Sequence, residues 1–227
     1  MHVRHLHAWP DSVSEAEAVQ GELRSLVDLT DSGPALVEYV AGLDVAYAPR
    51  GDALTAVAVV MRSETFDIVE HVVISEEAMF PYIPGLFAFR ELPPLIKALE
   101  RIRTNPDLLL CDGHGLAHPR RFGIASHLGV LTDLPTIGVA KNILGGSYVE
   151  PAPERGSWTP INEGSQTIGR ALRTRTRVKP VFVSPGHRIS LENACRHVLG
   201  LAPDYRVPEP IRRADHLSRR AASGRAT

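Results

Sequence analysis

Leu108-Leu-Leu-Cys-Asp112 and Thr136-Ile-Gly-Val-Ala140 are two short, almost wholly apolar runs, with a helical pattern from about Phe122 to Leu131 between them. Runs this apolar fit strands covered on both faces. A strand–helix–strand order predicts that the two strands pair in parallel. Upstream lie three more strand-like runs, Leu36–Tyr47, Leu54–Met61 and Phe66–Ile74. The segments between them, Ala48-Pro-Arg-Gly-Asp52 and Arg62-Ser-Glu-Thr65, are short enough for hairpin turns, so these three strands read as an antiparallel meander. A helical pattern spans about Phe87 to Arg103, with Pro93-Pro94 expected to interrupt it. Downstream, Gln166–Leu172 and Pro180–Ser184 read as strands, and Leu191–Leu199 and Ile211–Arg220 as helices. The fold class that follows is α/β: one mixed sheet, an antiparallel meander leading into parallel strands, flanked by helices.

Near the N-terminus, Ser14-x-x-Glu17 reads as a capping box opening a helix with Val19, Leu23, Leu26 and Val27 on one face. Residues 1–13 show no period and are expected to be loose, 14–220 to form a single catalytic domain, and 221–227 to be a flexible tail. No internal repeat or low-complexity segment interrupts the chain.

The chain has 227 residues, 44% of them hydrophobic, enough for a full core. No apolar run reaches the roughly 18 residues that span a bilayer, so no membrane association is expected. The first residues lack the apolar stretch of a secretory leader, and two cysteines, Cys111 and Cys195, make neither a disulfide framework nor a Cys-x-x-Cys zinc site. A cytoplasmic monomer is the default expectation. The formal net charge of -1 speaks at first against a nucleic-acid partner. The total hides a split. Residues 1–169 carry 12 Lys and Arg against 22 Asp and Glu; residues 170–227 carry 13 against 4. A polyanion would be repelled by the first part and attracted by the second, unless the second is only a solvated basic tail.

Asp44 lies within the apolar run Val40-Ala-Gly-Leu-Asp-Val-Ala-Tyr47, and Asp112 ends a buried strand at the edge where α/β sheets bind ligands. Glu91 follows Phe87-Ala-Phe-Arg on a helix. Each alone has an ordinary reading: a water-facing strand end, a turn aspartate, a surface ion pair. Together, three carboxylates from three elements can form an oxygen-rich pocket for hard divalent cations such as Mg²⁺, which support phosphodiester hydrolysis. Lys141, after the second buried strand, points where the carboxylates converge and could neutralise a phosphate. Gly113-His-Gly-Leu-Ala-His-Pro-Arg-Arg-Phe-Gly123 offers close backbone approach, Arg120 and Arg121 for phosphates, and His114 and His118 as acids, ligands or structural hydrogen-bonders. Pro81-Tyr-Ile-Pro84 is a rigid loop carrying an aromatic that either wedges into a base stack or packs under the loop. Arg170, Arg173, Arg175, Arg177 and Lys179 suggest a basic strand face. Asp215 and His216 could add a late ligand, or lie on an exposed helix face.

These motifs, in order, closely resemble the endonuclease V family: Gly42-Leu-Asp-Val-Ala-Tyr47, Pro81-Tyr-Ile-Pro-Gly85 with Phe89-Arg-Glu91, Asp112-Gly-His-Gly115, His118-Pro-Arg-Arg-Phe-Gly-Ile-Ala-Ser-His127 and Pro135-Thr-Ile-Gly-Val-Ala-Lys141, followed by Gly186-His-Arg188 and Pro208-Glu-Pro210 through Asp215. The resemblance covers about residues 14–220. It implies a ribonuclease-H-like fold and an endonuclease dependent on Mg²⁺, with Mn²⁺ as substitute. The implied substrate is DNA containing deoxyinosine, nicked at the second phosphodiester bond 3′ to the lesion to leave 3′-hydroxyl and 5′-phosphate ends. Some relatives act instead on inosine in RNA, which keeps inosine-containing RNA as an alternative partner. By the same resemblance Asp44, Asp112 and Glu91 hold metal, Asp215 completes the acidic site, and Lys141 meets the scissile phosphate. Tyr82, flanked by Pro81, Ile83 and Pro84, fills the gap left by a flipped base. Gly85, Gly113, His118, Gly123, Ile124 and Leu144 form the base pocket. A binding module that has lost catalysis is disfavoured by the retained Asp44, Glu91, Asp112 and Lys141.

Overall fold

A computed structural model describes residues 1–34, 36–48 and 51–223 of the chain. Pro49 and Arg50 of the first expected hairpin turn, and residues 224–227 of the expected tail, lie outside the described residues.

The meander forms as expected: β1 (Tyr39–Tyr47), β2 (Ala53–Arg62) and β3 (Ile68–Glu77) pair antiparallel in sequence order. The strand–helix–strand unit is β4 (Leu108–Asp112), α3 (Ile124–Thr132) and β5 (Thr136–Ala140); β4 lies parallel to both β1 and β5. Three further strands, β6 (Trp158–Glu163), β7 (Gln166–Leu172) and β8 (Val181–His187), extend the sheet on the β5 side. The strand order is β3-β2-β1-β4-β5-β8-β7-β6.

Side-chain alternation divides the core in two. Ala41, Leu43, Leu109 and Cys111 pack with Leu92, Leu95 and Leu99 of α2 (Ala88–Arg101) and Ala125 and Leu128 of α3. Val40, Leu108, Leu110, Ile137 and Val139 pack on the opposite face with Ala194 and Val198 of α4 (Leu191–Gly200) and Ile211 and Ala214 of α5 (Glu209–Ala222). The central strands are covered on both sides, which is why they read as unbroken apolar runs. No described helix is long and apolar enough to cross a membrane.

Four details differ from the sequence reading. Helix α1 (Val13–Leu23) is capped two residues earlier than expected: Ser12 Oγ accepts from the Glu15 amide and the Glu15 carboxylate accepts from the Asp11 amide. Helix α2 runs through Pro93 and Pro94, both buried alongside Leu92, Leu95 and Ile96. That burial, worth roughly 1.5–3 kcal/mol per large apolar side chain, offsets the backbone bonds the prolines cannot donate. Strand β6 has no clear signal in the sequence, being an edge strand with Pro160 in it and five of its six residues exposed or half-exposed around buried Ile161. The N-terminal segment is irregular but docked, not loose. Met1 donates its ammonium to Ile102 O (3.1 Å), the Arg4 amide reaches Leu131 O (2.7 Å), Val3 is buried, and His7 Nε2 meets His127 Nε2 at 2.8 Å.

Candidate active site

Leu43 lies opposite Cys111 in the parallel β1–β4 pair, so the next residues, Asp44 and Asp112, stand side by side at the carboxyl ends of adjacent strands. Both belong to the alternation that faces α5. Asp44 is only 8% exposed, and the buried Ser218 hydroxyl on α5 donates to its Oδ2 at 2.6 Å. Burial pushes the Asp44 carboxyl up to about 6; the Ser218 bond works against this, while the Asp112 and Asp215 carboxylates add to it. Lys141, directly after β5, donates to Asp112 Oδ2 at 2.7 Å and lies 3.9 Å from Asp215 Oδ1. Burial opposes the lysine's charge, but the hydrogen bond to Asp112 and the surrounding carboxylates outweigh it and hold the pKa above its usual value.

Glu91 reaches the same point from the other layer, on the first turn of α2. Burial raises its carboxyl to about 8, opposed by the Tyr47 hydroxyl, which donates to Oε1 at 2.5 Å, and reinforced by Asp44 and Asp112. The neighbouring Arg90 turns away, donating to Phe80 O (2.8 Å) and Asp52 (2.9 Å) and lying 5.4 Å from the Tyr47 ring centre.

Asp44 and Asp112 line two adjoining clefts. One, of about 90 Å³, is shared with Glu91, Cys111 and Ile124. The other, of about 300 Å³, is shared with Lys141, Asp215 and Arg219. Helix α5 can come this close because residue 42 is glycine: a Cβ there would lie 2.0 Å from Pro210 O. Asp215 faces the cleft, with Arg219 Nε at 3.0 Å from its Oδ1, whereas His216 is exposed.

Among the described residues no three His, Cys, Asp or Glu side chains close into a metal cage, so the acids form an open arrangement. The donor set still suits a hard divalent cation. Asp44, Asp112 and Glu91 offer only oxygen, and the raised pKa values of Asp44 and Glu91 show how weakly the protein alone compensates their charge.

Tyr82 stands 63% exposed at the mouth of the site, its ring edge-on to Tyr47 with centroids 6.3 Å apart. Pro81 and Pro84 bracket it in a loop whose Ile83 packs on the buried Phe80 and Phe89. The root of the loop is pinned at Gly85 (φ +81°), whose carbonyl accepts from His118 Nε2 (2.9 Å), Arg120 Nη2 (2.9 Å) and Gln20 Nε2 (3.1 Å). The other ring nitrogen of His118 accepts from the Arg120 amide, so Nε2 carries the proton. Burial lowers the His118 pKa to about 4. His118 thus ties the root of the Tyr82 loop to the glycine-rich stretch after β4. His114 bridges to Asn142 O through Nε2 at 3.1 Å.

The residues expected around a base are partly gathered. Gly85 touches His118, and Gly113 lies against Ile124, where a Cβ would sit 2.8 Å from Cγ2. A Cβ on Gly123 would lie 2.2 Å from His114 O, so that glycine serves close backbone packing. Leu144 is half-buried in the turn after β5.

The expected phosphate contacts fare differently. Arg120 is bonded to Gln20, Glu17 and Gly85 O, and Arg121 to Glu163, Gln166 and His118 O. Both guanidinium groups are committed within the fold. Arg173, expected on a basic strand face, lies beyond the end of β7 and is buried against Glu150 and the carbonyls of Pro151, Ala152 and Val178. The alternation of arginines does not reveal this, because the partners come from distant loops. Tyr47, Ser218 and Arg219 are contributors to the site that the sequence reading above does not assign. The signals were present: Tyr47 is three residues beyond Asp44, and Asp215, Ser218 and Arg219 share one helical face by their i, i+3, i+4 spacing.

The family model for endonuclease V matches residues 21–216. An endonuclease V from Streptomyces avermitilis is 54% identical over 214 residues, 94% of this chain and 93% of its own length. The crystal structure of endonuclease V from Streptomyces avermitilis superposes with a TM-score of 0.91 at 52% identity, covering 99% of each chain. A Ciona intestinalis endonuclease V, solved in complex with a 24mer DNA containing an inosine followed by a ribo-adenosine, superposes with a TM-score of 0.81 at 30% identity, covering 93% of this chain and 98% of its own. Its ordered motifs, mixed sheet and acidic strand ends are therefore those of a nuclease: the chain belongs to the endonuclease V family.

Proposed function

We propose that this protein is a divalent-metal-dependent DNA repair endonuclease that recognises deoxyinosine and hydrolyses the second phosphodiester bond on its 3′ side. The observation that carries the reading is the convergence of Asp44, Asp112 and Glu91 at one end of the sheet, with Lys141 bonded to Asp112. Asp44, Asp112 and Glu91 would hold Mg²⁺, or Mn²⁺ in its place. Such an ion, when bound, activates water and stabilises charge on phosphate oxygens.

The protein's own groups divide the remaining work. Ser218 occupies Asp44 Oδ2 and so fixes how that carboxylate presents its other oxygen. Lys141 stays charged and offers an ammonium at the phosphate position, where it lowers the cost of developing negative charge. Asp215 holds Lys141 from the far side of the cleft. Tyr82, on its rigid exposed loop, fills the space left when a base is turned out. That extrusion costs a few kcal/mol and less at an inosine mispair. Gly85, Gly113, His118, Gly123, Ile124 and Leu144 form the pocket that receives the base.

The test uses matched oligonucleotides with inosine in DNA or in RNA, with Mg²⁺ or with chelator. The expected result is metal-dependent nicking one nucleotide beyond inosine in DNA, lost with Asp44→Ala or Asp112→Ala. Full activity in chelator would overturn the metal assignment. The DNA bound to the Ciona relative carries a ribo-adenosine after its inosine. A strong preference for the RNA oligonucleotide would make this chain an inosine-specific ribonuclease. Tyr82→Ala is expected to discriminate less well between inosine-containing and normal DNA; unchanged discrimination would return Tyr82 to a packing role.

A further inference from the structure

A nuclease of this kind must hold the polyanionic backbone near its acids, yet Arg120, Arg121 and Arg173 are tied to internal partners. Arg219 is differently placed. It lines the larger cleft with Asp44, Asp112, Lys141 and Asp215, and its side chain is 71% exposed. Two of its nitrogens, Nε at 3.0 Å and Nη2 at 2.9 Å, rest on Asp215 Oδ1. Lys141 Nζ lies 3.9 Å from the same oxygen. Two cations from different elements therefore converge on one carboxylate oxygen at the rim of the catalytic cleft. An ordinary role is available, since a cation in the last turns of a helix complements its dipole. That role requires no particular direction, whereas this guanidinium is steered one turn back toward Asp215 and the cleft.

We propose that Arg219 and Lys141 form a two-cation cradle for a nucleic-acid backbone phosphate, with Asp215 setting their spacing. The proposal rests on the nuclease reading above. An arginine has five N–H donors in a planar fork, and the Asp215 contacts engage only one edge of it. A phosphate has several acceptor oxygens to bridge the fork and the Lys141 ammonium. The ion pair with Asp215 restrains a long side chain in advance, which reduces the ordering cost on binding.

The salt dependence of binding separates this role from a structural one. A duplex with one inosine is titrated with wild-type protein, Arg219→Ala and Arg219→Lys in chelator, across a series of salt concentrations. A residue that neutralises one phosphate contributes about 0.9 to the slope of log affinity against log salt. Arg219→Ala is expected to bind about tenfold more weakly near physiological salt and to lose about that much slope, equally for inosine-containing and normal duplexes. Arg219→Lys is expected to keep most of the slope, because the charge remains. An Arg219→Ala slope equal to that of wild type overturns the cradle while leaving the nuclease reading intact. Wild-type protein that neither binds nor nicks the inosine duplex overturns both.

Discussion

Ser218 shows how much one hydroxyl can govern. It is wholly buried, and its hydroxyl bonds Asp44 Oδ2 and the Asp215 carbonyl at 2.6 and 3.0 Å. Removing it leaves Asp44 free to turn and deletes the bond that opposes the burial-driven rise of its pKa. Ser218→Ala is expected to weaken binding of Mn²⁺ alone about 10–100-fold, the usual cost of losing a group that orients a ligand. Titration of the free protein with Mn²⁺ measures it, and unchanged affinity would show that Asp44 needs no such support. The acids themselves were legible in the sequence, because a carboxylate inside or at the end of an apolar run has few ways to be solvated. Ser218 was not, because a serine in a helix says nothing about what it faces until the helix is docked.

At the scale of elements, the decisive contact is between α5 and β1. A Cβ at residue 42 would strike the backbone of Pro210 and Ile211, which cannot yield as a side-chain tip can. Gly42→Ala is expected to cost roughly 1–3 kcal/mol by overpacking and to move Asp215, Ser218 and Arg219 away from Asp44. Thermal melting and the Mn²⁺ titration should both register it. Gly21→Ala is the contrast. That residue lies inside α1 with nothing within 4 Å of the added carbon, so helix propensity alone predicts a gain of about 0.5–1 kcal/mol. The elements easiest to read were those with two covered faces, β4 and β5, since burial on both sides leaves an unbroken apolar run. Strand β6 lies at the sheet edge, where solvent takes one face and only Ile161 is fully buried. The prolines of α2 misled for a related reason: local propensity is outweighed where a helix face is packed against the sheet.

For the whole molecule, the buried histidines set the response to acid. Burial holds His118 at about 4 and also lowers His114, His127, His187 and His197. An unfolded chain protonates these rings near 6.5, while the folded one refuses the protons. Between about pH 6.5 and 4 the unfolded state therefore binds more protons, and stability falls as pH falls. The full effect of His118 alone is about 3 kcal/mol. Asp44 and Glu91 act in the opposite sense. Their folded pKa values, about 6 and about 8, lie above those of free carboxyls, so without metal they add stability as pH drops through those values. The melting temperature in chelator is expected to rise modestly from pH 8 toward 6.5 as Glu91 takes up its proton, and then to decline as the five histidines outweigh the two acids. A melting temperature that kept rising down to pH 4.5 would mean that the histidines take up protons without loss of the fold.

The docking of α5 on Gly42 also imposes a timetable on synthesis. The first acid is made at residue 44, but its hydroxyl partner, at 218, comes 174 residues later. Until that last helix has emerged and settled on the first strand, Asp44 lacks Ser218, and Lys141 lacks Asp215 across the cleft. A nascent chain therefore cannot assemble the Asp44–Ser218 and Lys141–Asp215 contacts until α5 has been made, so the two ends of the cleft are joined only by its docking.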